Sequence, residues 1–157
     1  MMKIKLITIG RTDERYLKDG IDKYVSRLKH YADFQTKEIP DVKLGKKQNI
    51  SVQKELEGRE ILKCLAKSDF VVLLDEQGKT YSSRTYSQFI QKRMNAGLNV
   101  VFVIGGPFGS SDEVYSRSNQ KIALSEMTFS HQMVRLFFVE QLYRSFSILK
   151  GEKYHHD

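Results

Sequence analysis

Several side chains in this chain could carry chemistry, and most of them stand near its C-terminal end. His131 follows Thr128, Phe129 and Ser130 at the entrance to a long apolar run. A neutral imidazole there can act as a base or orient a ligand, and ordinary polar contacts at a helix start suit it equally. Arg135 and Arg144 interrupt the apolar run nine residues apart, which puts them on opposite faces of a helix. A buried arginine needs a partner, either a carboxylate such as Glu140 or a ligand phosphate. Tyr154, His155 and His156 close the chain. Three polar rings on a tail suit stacking or proton handling at a site completed by another subunit; a frayed terminus has the same composition. An adjacent histidine pair without further ligands does not make a metal set.

A different kind of signal lies upstream. Val100, Val101, Phe102, Val103 and Ile104 form an unbroken, largely β-branched run, as expected of a strand buried on both faces. Gly105, Gly106 and Gly109 follow it, with Pro107 between them. Glycines there allow a turn with positive φ and close approach of a ligand to the backbone. Ligands of open α/β sheets bind beyond the carboxyl ends of the strands, so this loop is the place to look for a site. It is neither a dinucleotide fingerprint nor a phosphate-cradling loop, because the spacing is G-G-x-x-G and no Gly-Lys-Ser/Thr follows. A nucleoside held mainly by backbone groups fits, and so does a plain turn.

The whole composition narrows the classes. At 157 residues the chain supports one domain with a real core. Apolar residues at 40% and charged residues at 29% suit a soluble globular protein. No run approaches a membrane span, and MMKIKLITIG reads as a strand rather than a leader, so a cytoplasmic protein is expected. The single cysteine, Cys64, excludes an intrachain disulfide and a cysteine-based zinc cluster, and its spacing with Ile61, Leu62 and Leu65 suggests a small buried hydrophobe. There is no Gly-x-Ser-x-Gly and no His-Glu-x-x-His, hence no case for a serine hydrolase or a zinc protease. A net charge of +7 favours a polyanionic partner, with RNA the natural candidate. Lys43, Lys46 and Lys47 form the densest basic cluster, in a polar stretch at 41–49 that reads as an exposed loop.

These residues need a frame. Ile4, Leu6 and Ile9 mark a first strand ending at Gly10, and Thr12 is a plausible cap for a helix with Leu17, Ile21, Tyr24, Val25 and Leu28 on one face. A strand at 34–39 stops at Pro40, and a helix at 51–66 contains Gly58, a residue that suits a close contact. A third strand at 70–74 ends in a turn at 75–79; a helix capped by Ser82 or Ser83 follows and stops at Gly97. After the central strand come a short helix near 112–118 and a strand at 121–124. The last helix, about 131–150, is apolar around most of its circumference, which predicts burial on more than one side and a two-fold partner. The alternation gives an α/β fold with a mostly parallel five-stranded sheet flanked by helices.

Taken together, LLDEQGK (73–79), VFVIGGPFG (101–109), LSEMTFSHQMVR (124–135), EQLYRSF (140–146) and KYHH (153–156) resemble, in order and spacing, a family of bacterial large-subunit rRNA pseudouridine N3-methyltransferases. This is the RlmH family of the SPOUT class. KELEGREIL (54–62) and the N-terminal IGR also fit, so the resemblance spans nearly the whole chain. It implies a homodimer with a C-terminal trefoil knot that binds S-adenosyl-L-methionine. By motif match, Leu74, Gly105, Leu124, Ser125, Glu126, Met127, Thr128 and Phe129 would hold that cofactor, largely through backbone groups. His131, Arg144, Tyr154 and His155 match positions around the target nucleotide. The implied substrate is a pseudouridine in the 23S rRNA hairpin at the subunit interface of the assembled ribosome, with no DNA, membrane or metal involved. The family often has proline where Ser130 stands here, and few members carry a second histidine at His156. Two other readings compete: an RNA-binding scaffold without cofactor affinity, and a monomeric nucleotide-dependent enzyme on a flavodoxin-like sheet.

Overall fold

The computed structural model describes residues 1–42 and 49–157. The lysine cluster at Lys43, Lys46 and Lys47, with most of its loop, lies outside the described residues. The chain order is β1 (Lys3–Ile9), α1 (Arg15–Leu28), β2 (Asp33–Ile39), α2 (Ile50–Lys63), β3 (Phe70–Thr80), α3 (Ser83–Asn95), β4 (Val100–Ile104), α4 (Asp112–Arg117), β5 (Gln120–Ala123) and α5 (Met133–Leu149). The five strands form one sheet in the order β2-β1-β4-β3-β5, and every pairing is parallel. The expected α/β fold with a five-stranded sheet is therefore present. Its strand order differs from the flavodoxin order 2-1-3-4-5, so the flavodoxin-like reading falls.

Strand alternation divides the core between the two faces. Ile4, Leu6, Val72, Val100, Phe102 and Ile104 face the side covered by α1, α3 and α5, while Ile7, Ile9, Val71, Leu73, Val101 and Val103 face α2 and α4. All five residues of β4 are buried, as its unbroken apolar run requires. The Phe102 and Phe138 rings meet at 4.8 Å in the first layer, and neither is exposed. Burying a side chain of this size contributes roughly 1.5–3 kcal/mol. No helix among the described residues is long and apolar enough to cross a membrane.

Four local expectations change in three dimensions. Helix α1 begins at Arg15 behind Glu14, which makes no side-chain cap; the Thr12 hydroxyl instead accepts from Arg135 Nη1 at 3.3 Å. Strand β3 does not stop at Leu74. It continues to Thr80 through a bulge in which Leu74 and Lys79 both pair with Ile122, so the expected turn at 75–79 is taken up within the strand. Cys64 is half-buried at the end of α2, where its thiol donates to the Glu60 carbonyl. The apolar circumference of α5 is largely used inside the chain, because α5 lies between α1 and α3 and also rests on the sheet. Its breadth therefore does not by itself require a partner. Other signals hold: Ser82 Oγ accepts from the Thr85 amide at 3.1 Å to cap α3, and a Cβ on Gly58 would come within 2.3 Å of Ser111 Oγ.

Candidate active site

Beyond the carboxyl ends of β4 and β5, beside the bulge of β3 at Leu74–Glu76, lies a cleft of about 570 Å³. That volume falls in the range of small-molecule sites, about 300–1,000 Å³. Leu74 and Gly105 line its strand side, and Leu124, Ser125, Met127, Thr128 and Phe129 line the segment that follows β5. Seven of the eight positions matched to cofactor binding thus share one cleft; Glu126 is exposed and does not line it. His131 and Val134 close the wall at the start of α5.

Only Gly109 of the three loop glycines has positive φ, at 87°, and its amide donates to the Gly106 carbonyl at 3.1 Å. Gly105 and Gly106 are glycine for a different reason. A Cβ on Gly105 would stand 2.8 Å from Ser110 Oγ, and one on Gly106 would stand 2.9 Å from Glu57 Oε2. Glu57 is buried on α2, with Gln53 Nε2 donating to its Oε1 at 3.1 Å. Burial pushes its carboxyl above the ordinary glutamate range, and the charge of Asp41 acts in the same direction. Helix α2 is therefore a floor under the glycine loop. Nothing in the spacing of the loop itself pointed to Glu57, although the KELEGREIL stretch contains it.

The segment leading into α5 is ordered by its own hydroxyls. Ser125 Oγ accepts from the Met127 amide at 3.0 Å. Ser130 Oγ accepts from the Met133 amide at 3.1 Å and its carbonyl from the Val134 amide at 3.0 Å. Serine thus ties the turn ahead of the helix to its first amides by hydrogen bonding, where proline would have preset the backbone. The Phe129 ring packs on Phe137 at 4.8 Å. His131 is held below the ordinary histidine range by burial first and then by the charge of Arg135, with Asp13 and Asp41 acting the other way. Burial and the Arg135 charge both favour its uncharged form.

Arg135 is 1% exposed and finds neither a carboxylate nor an open ligand position. It donates from Nη2 to the Ile9 carbonyl at 2.6 Å, from Nη1 to the Gly10 carbonyl at 3.0 Å, and from Nε to the His131 carbonyl at 3.2 Å. Both partners offered for it by its sequence position are thereby replaced by backbone carbonyls.

Arg144, Tyr154 and His155 form a second group, and none of them lines the cleft of its own chain. Arg144 Nη2 donates to Glu140 Oε1 at 2.5 Å, and the Tyr154 hydroxyl donates to the same oxygen at 2.9 Å. Arg144 lies 4.8 Å over the Tyr154 ring, and its Nη1 is 3.1 Å from His155 Nδ1. A guanidinium has no lone pair to offer, so Nδ1 is the acceptor and the proton sits on Nε2, which donates to Asp157 Oδ1 at 3.0 Å. Asp157 in turn pairs with Arg84. Arg144 Nε is buried with no hydrogen-bond partner among the described residues. The tail is therefore not frayed. His156 is exposed and takes no part in this network.

Tyrosines tie the tail to α1. Tyr24 and Tyr154 share a hydrogen bond of 3.0 Å, and Tyr31 donates to Glu152 Oε2 at 2.7 Å. Burial, then the hydrogen bond to Glu152, pushes the Tyr31 phenol up to about 12. Burial, then Tyr24 and Glu140, raises Tyr154, and burial raises Tyr86. A folded-state value above that of the unfolded chain means the native state holds the proton more tightly. The resulting stability is whole below about pH 10 and is lost as pH climbs through the folded values. Alkaline titration by tyrosinate absorbance should thus show part of the eight tyrosines ionising only as the fold is lost. All eight ionising together in a native protein would contradict the network.

The comparisons with known proteins agree with this geometry. The family described as "Predicted SPOUT methyltransferase" matches residues 2–155. A ribosomal RNA large subunit methyltransferase H of Christiangramia forsetii is 58% identical over 156 residues, covering 99% of both chains. Proteins of the same name from Flavobacterium psychrophilum, 54% identical over 99% of both chains, and Porphyromonas gingivalis, 51% identical over 99% of this chain and all of the relative, align in the same way. Full-length identity at this level, on a parallel α/β sheet with the matched positions gathered in one cleft, leaves one conclusion: the chain belongs to the SPOUT methyltransferase family, in the group of these large-subunit methyltransferases H.

Proposed function

We propose that this protein methylates large-subunit rRNA, taking the methyl group from S-adenosyl-L-methionine and placing it on N3 of a pseudouridine in the assembled ribosome. The observation that carries the reading is the separation of two residue groups. The cofactor-matched positions and His131 share a cleft, whereas Arg144, Tyr154 and His155 are prearranged on the tail, outside it. A second copy of the chain supplies the missing half, so the working unit is a homodimer with sites completed across its interface. Exposed apolar side chains beside the cleft support that interface: Met127 is 78% exposed and Phe137 38%. The trefoil knot expected of the family belongs to the same reading, supported by the return of the chain from the edge strand β5 to α5 between α1 and α3.

The residues present fit the cofactor. The cleft combines apolar walls from Leu74, Ile104, Leu124 and Phe129 with the glycine loop after β4 and the segment after β5. When bound, S-adenosyl-L-methionine supplies a methyl group already activated on a sulfonium, so the protein's main task is alignment. The N3 proton of the base must leave. Tyr154 keeps its own proton and donates; His155 can accept one at Nδ1 once Arg144 Nη1 turns from that nitrogen to the base. Arg144, with Nε free of partners among the described residues, stabilises the negative charge that develops on the base. A net charge of +7 supplies a sequence-independent attraction to the rRNA phosphates.

The test is transfer of labelled methyl to intact ribosomes from a strain lacking this activity, with free subunits and bare rRNA alongside. Label confined to large-subunit rRNA of assembled ribosomes is the expected result. Cofactor binding without label would change the substrate, and the absence of both would leave an RNA-binding scaffold as the better account.

A further inference from the structure

We propose that Arg135 is a positioning residue: it locks the turn between β1 and α1 to the start of α5 and so fixes His131 at the wall of the cofactor cleft. The inference rests on the methyltransferase reading of that cleft and names a residue outside its matched set. Arg135 does not line the cleft, and it touches none of the residues of the tail group.

The geometry is that of a clasp. From one buried guanidinium, three nitrogens reach the Ile9 and Gly10 carbonyls, the Thr12 hydroxyl and the carbonyl of His131 itself. The neighbouring Gln132 closes the same joint from outside: its Nε2 donates to the Arg11 carbonyl at 2.9 Å, and its Oε1 accepts from the Asp13 amide at 2.9 Å. Gly10 makes the turn possible with φ of 78°, and its Cα lies so close to Asp41 that a Cβ would meet that carboxylate at 2.7 Å. The end of β1, the segment after β2 and the first turn of α5 therefore meet at one point, and Arg135 is the group bonded to both β1 and α5. A fork of fixed N–H directions suits this task; a single ammonium cannot reach three carbonyls at these separations.

The clasp has an electrostatic consequence. The acceptors of Arg135 are neutral, so its charge is compensated only through space by Glu38, Asp13 and Asp41. The charged groups acting on His131 are Arg135 on its own helix, Asp13 on the β1–α1 turn and Asp41 after β2. Arg135 favours the uncharged imidazole; the two aspartates oppose it.

The test is an NMR titration of the free full-length protein, whose four histidines are few enough to assign individually. In Arg135→Met, with native sheet resonances retained, the His131 midpoint should rise, because the like charge of Arg135 is gone and only burial still works against the aspartates. A role in stability alone would lower the melting temperature and leave that midpoint in place, and an unmoved midpoint overturns the proposal. Arg135→Lys is read as well, since Arg135→Met strands buried carbonyls and can fail to fold. It should speed amide exchange at Asp13 by about fivefold, the equivalent of one net hydrogen bond; unchanged exchange overturns the clasp. Neither readout involves ribosomes or methyl transfer, so failure of the clasp and failure of the proposed activity are distinguishable.

Discussion

Replacing Gly78 by alanine is expected to cost the fold about 3 kcal/mol, the upper part of the usual range for overpacking. A Cβ at this position would stand 2.6 Å from the backbone N and C of Ile122 and 2.7 Å from the carbonyl carbon of Lys121. Backbone atoms cannot rotate aside, so β3 and β5 would have to part at the bulge where Leu74 and Lys79 share Ile122. For a chain of this size the penalty corresponds to a fall in melting temperature of about 6–12 °C. Cofactor affinity should fall with it, because the segment from Leu124 to Phe129 hangs directly from β5. Gly20→Ala is the contrasting case. Its Cβ would meet only the flexible end of Leu136, at 3.0 Å, and alanine gains about 1 kcal/mol of helix propensity over glycine. Calorimetry on both variants separates the cases, and a Gly78→Ala protein melting with the wild type would sink the account of the bulge.

Arg144→Ala is expected to lower methyl transfer by about 10²-fold, the scale on which misplacing a reacting group by an ångström acts. The arginine joins Glu140, Tyr154 and His155, and its loss releases both tail rings from their common anchor. Lysine should not rescue it, since one ammonium cannot both pair with Glu140 and reach His155. Cofactor binding measured by calorimetry should persist, because Arg144 is no part of the cleft. Mixing gives the sharper result. An equal mixture of Arg144→Ala and a cleft-blocked Leu124→Arg chain should recover turnover that neither variant has alone, since one site of the mixed dimer joins an intact cleft to an intact tail. No recovery in demonstrably mixed dimers would mean that each chain completes its own site.

Much of the frame was written locally. Strands announce themselves in Ile4–Leu6–Ile9 and in the run from Val100 to Ile104, and helix α3 in Ser82 with the Tyr86, Phe89, Ile90 face and the stop at Gly97. The ordered motifs were specific enough to gather Leu74, Gly105 and the stretch after β5 into one cleft. These features depend on neighbours within a few positions, where side-chain period, capping and turn chemistry act directly.

Other features depend on partners far away in the chain. The partners of Arg135 at Ile9 and Gly10 lie 126 and 125 positions upstream, and no local pattern distinguishes a carbonyl partner from a carboxylate. The extension of β3 through its bulge was hidden because Asp75–Glu76–Gln77–Gly78–Lys79 has turn composition; β5 pairs with β3 on either side of the bulge, at Leu74 and again at Lys79 and Thr80. Glycine at 105 and 106 was attributed to turning and ligand approach, whereas Ser110 and Glu57 set the limit on space. The broad apolar surface of α5 pointed to a partner, yet α1, α3 and the sheet cover most of it. By itself, then, the sequence determined the elements, the buried faces and the family, because periodic burial and motif order are properties of the chain. The tertiary structure decided which groups meet, separated the cleft from the tail group and found the clasp at Arg135. Those are matters of packing and hydrogen-bond satisfaction between distant segments, settled only when the segments are brought together.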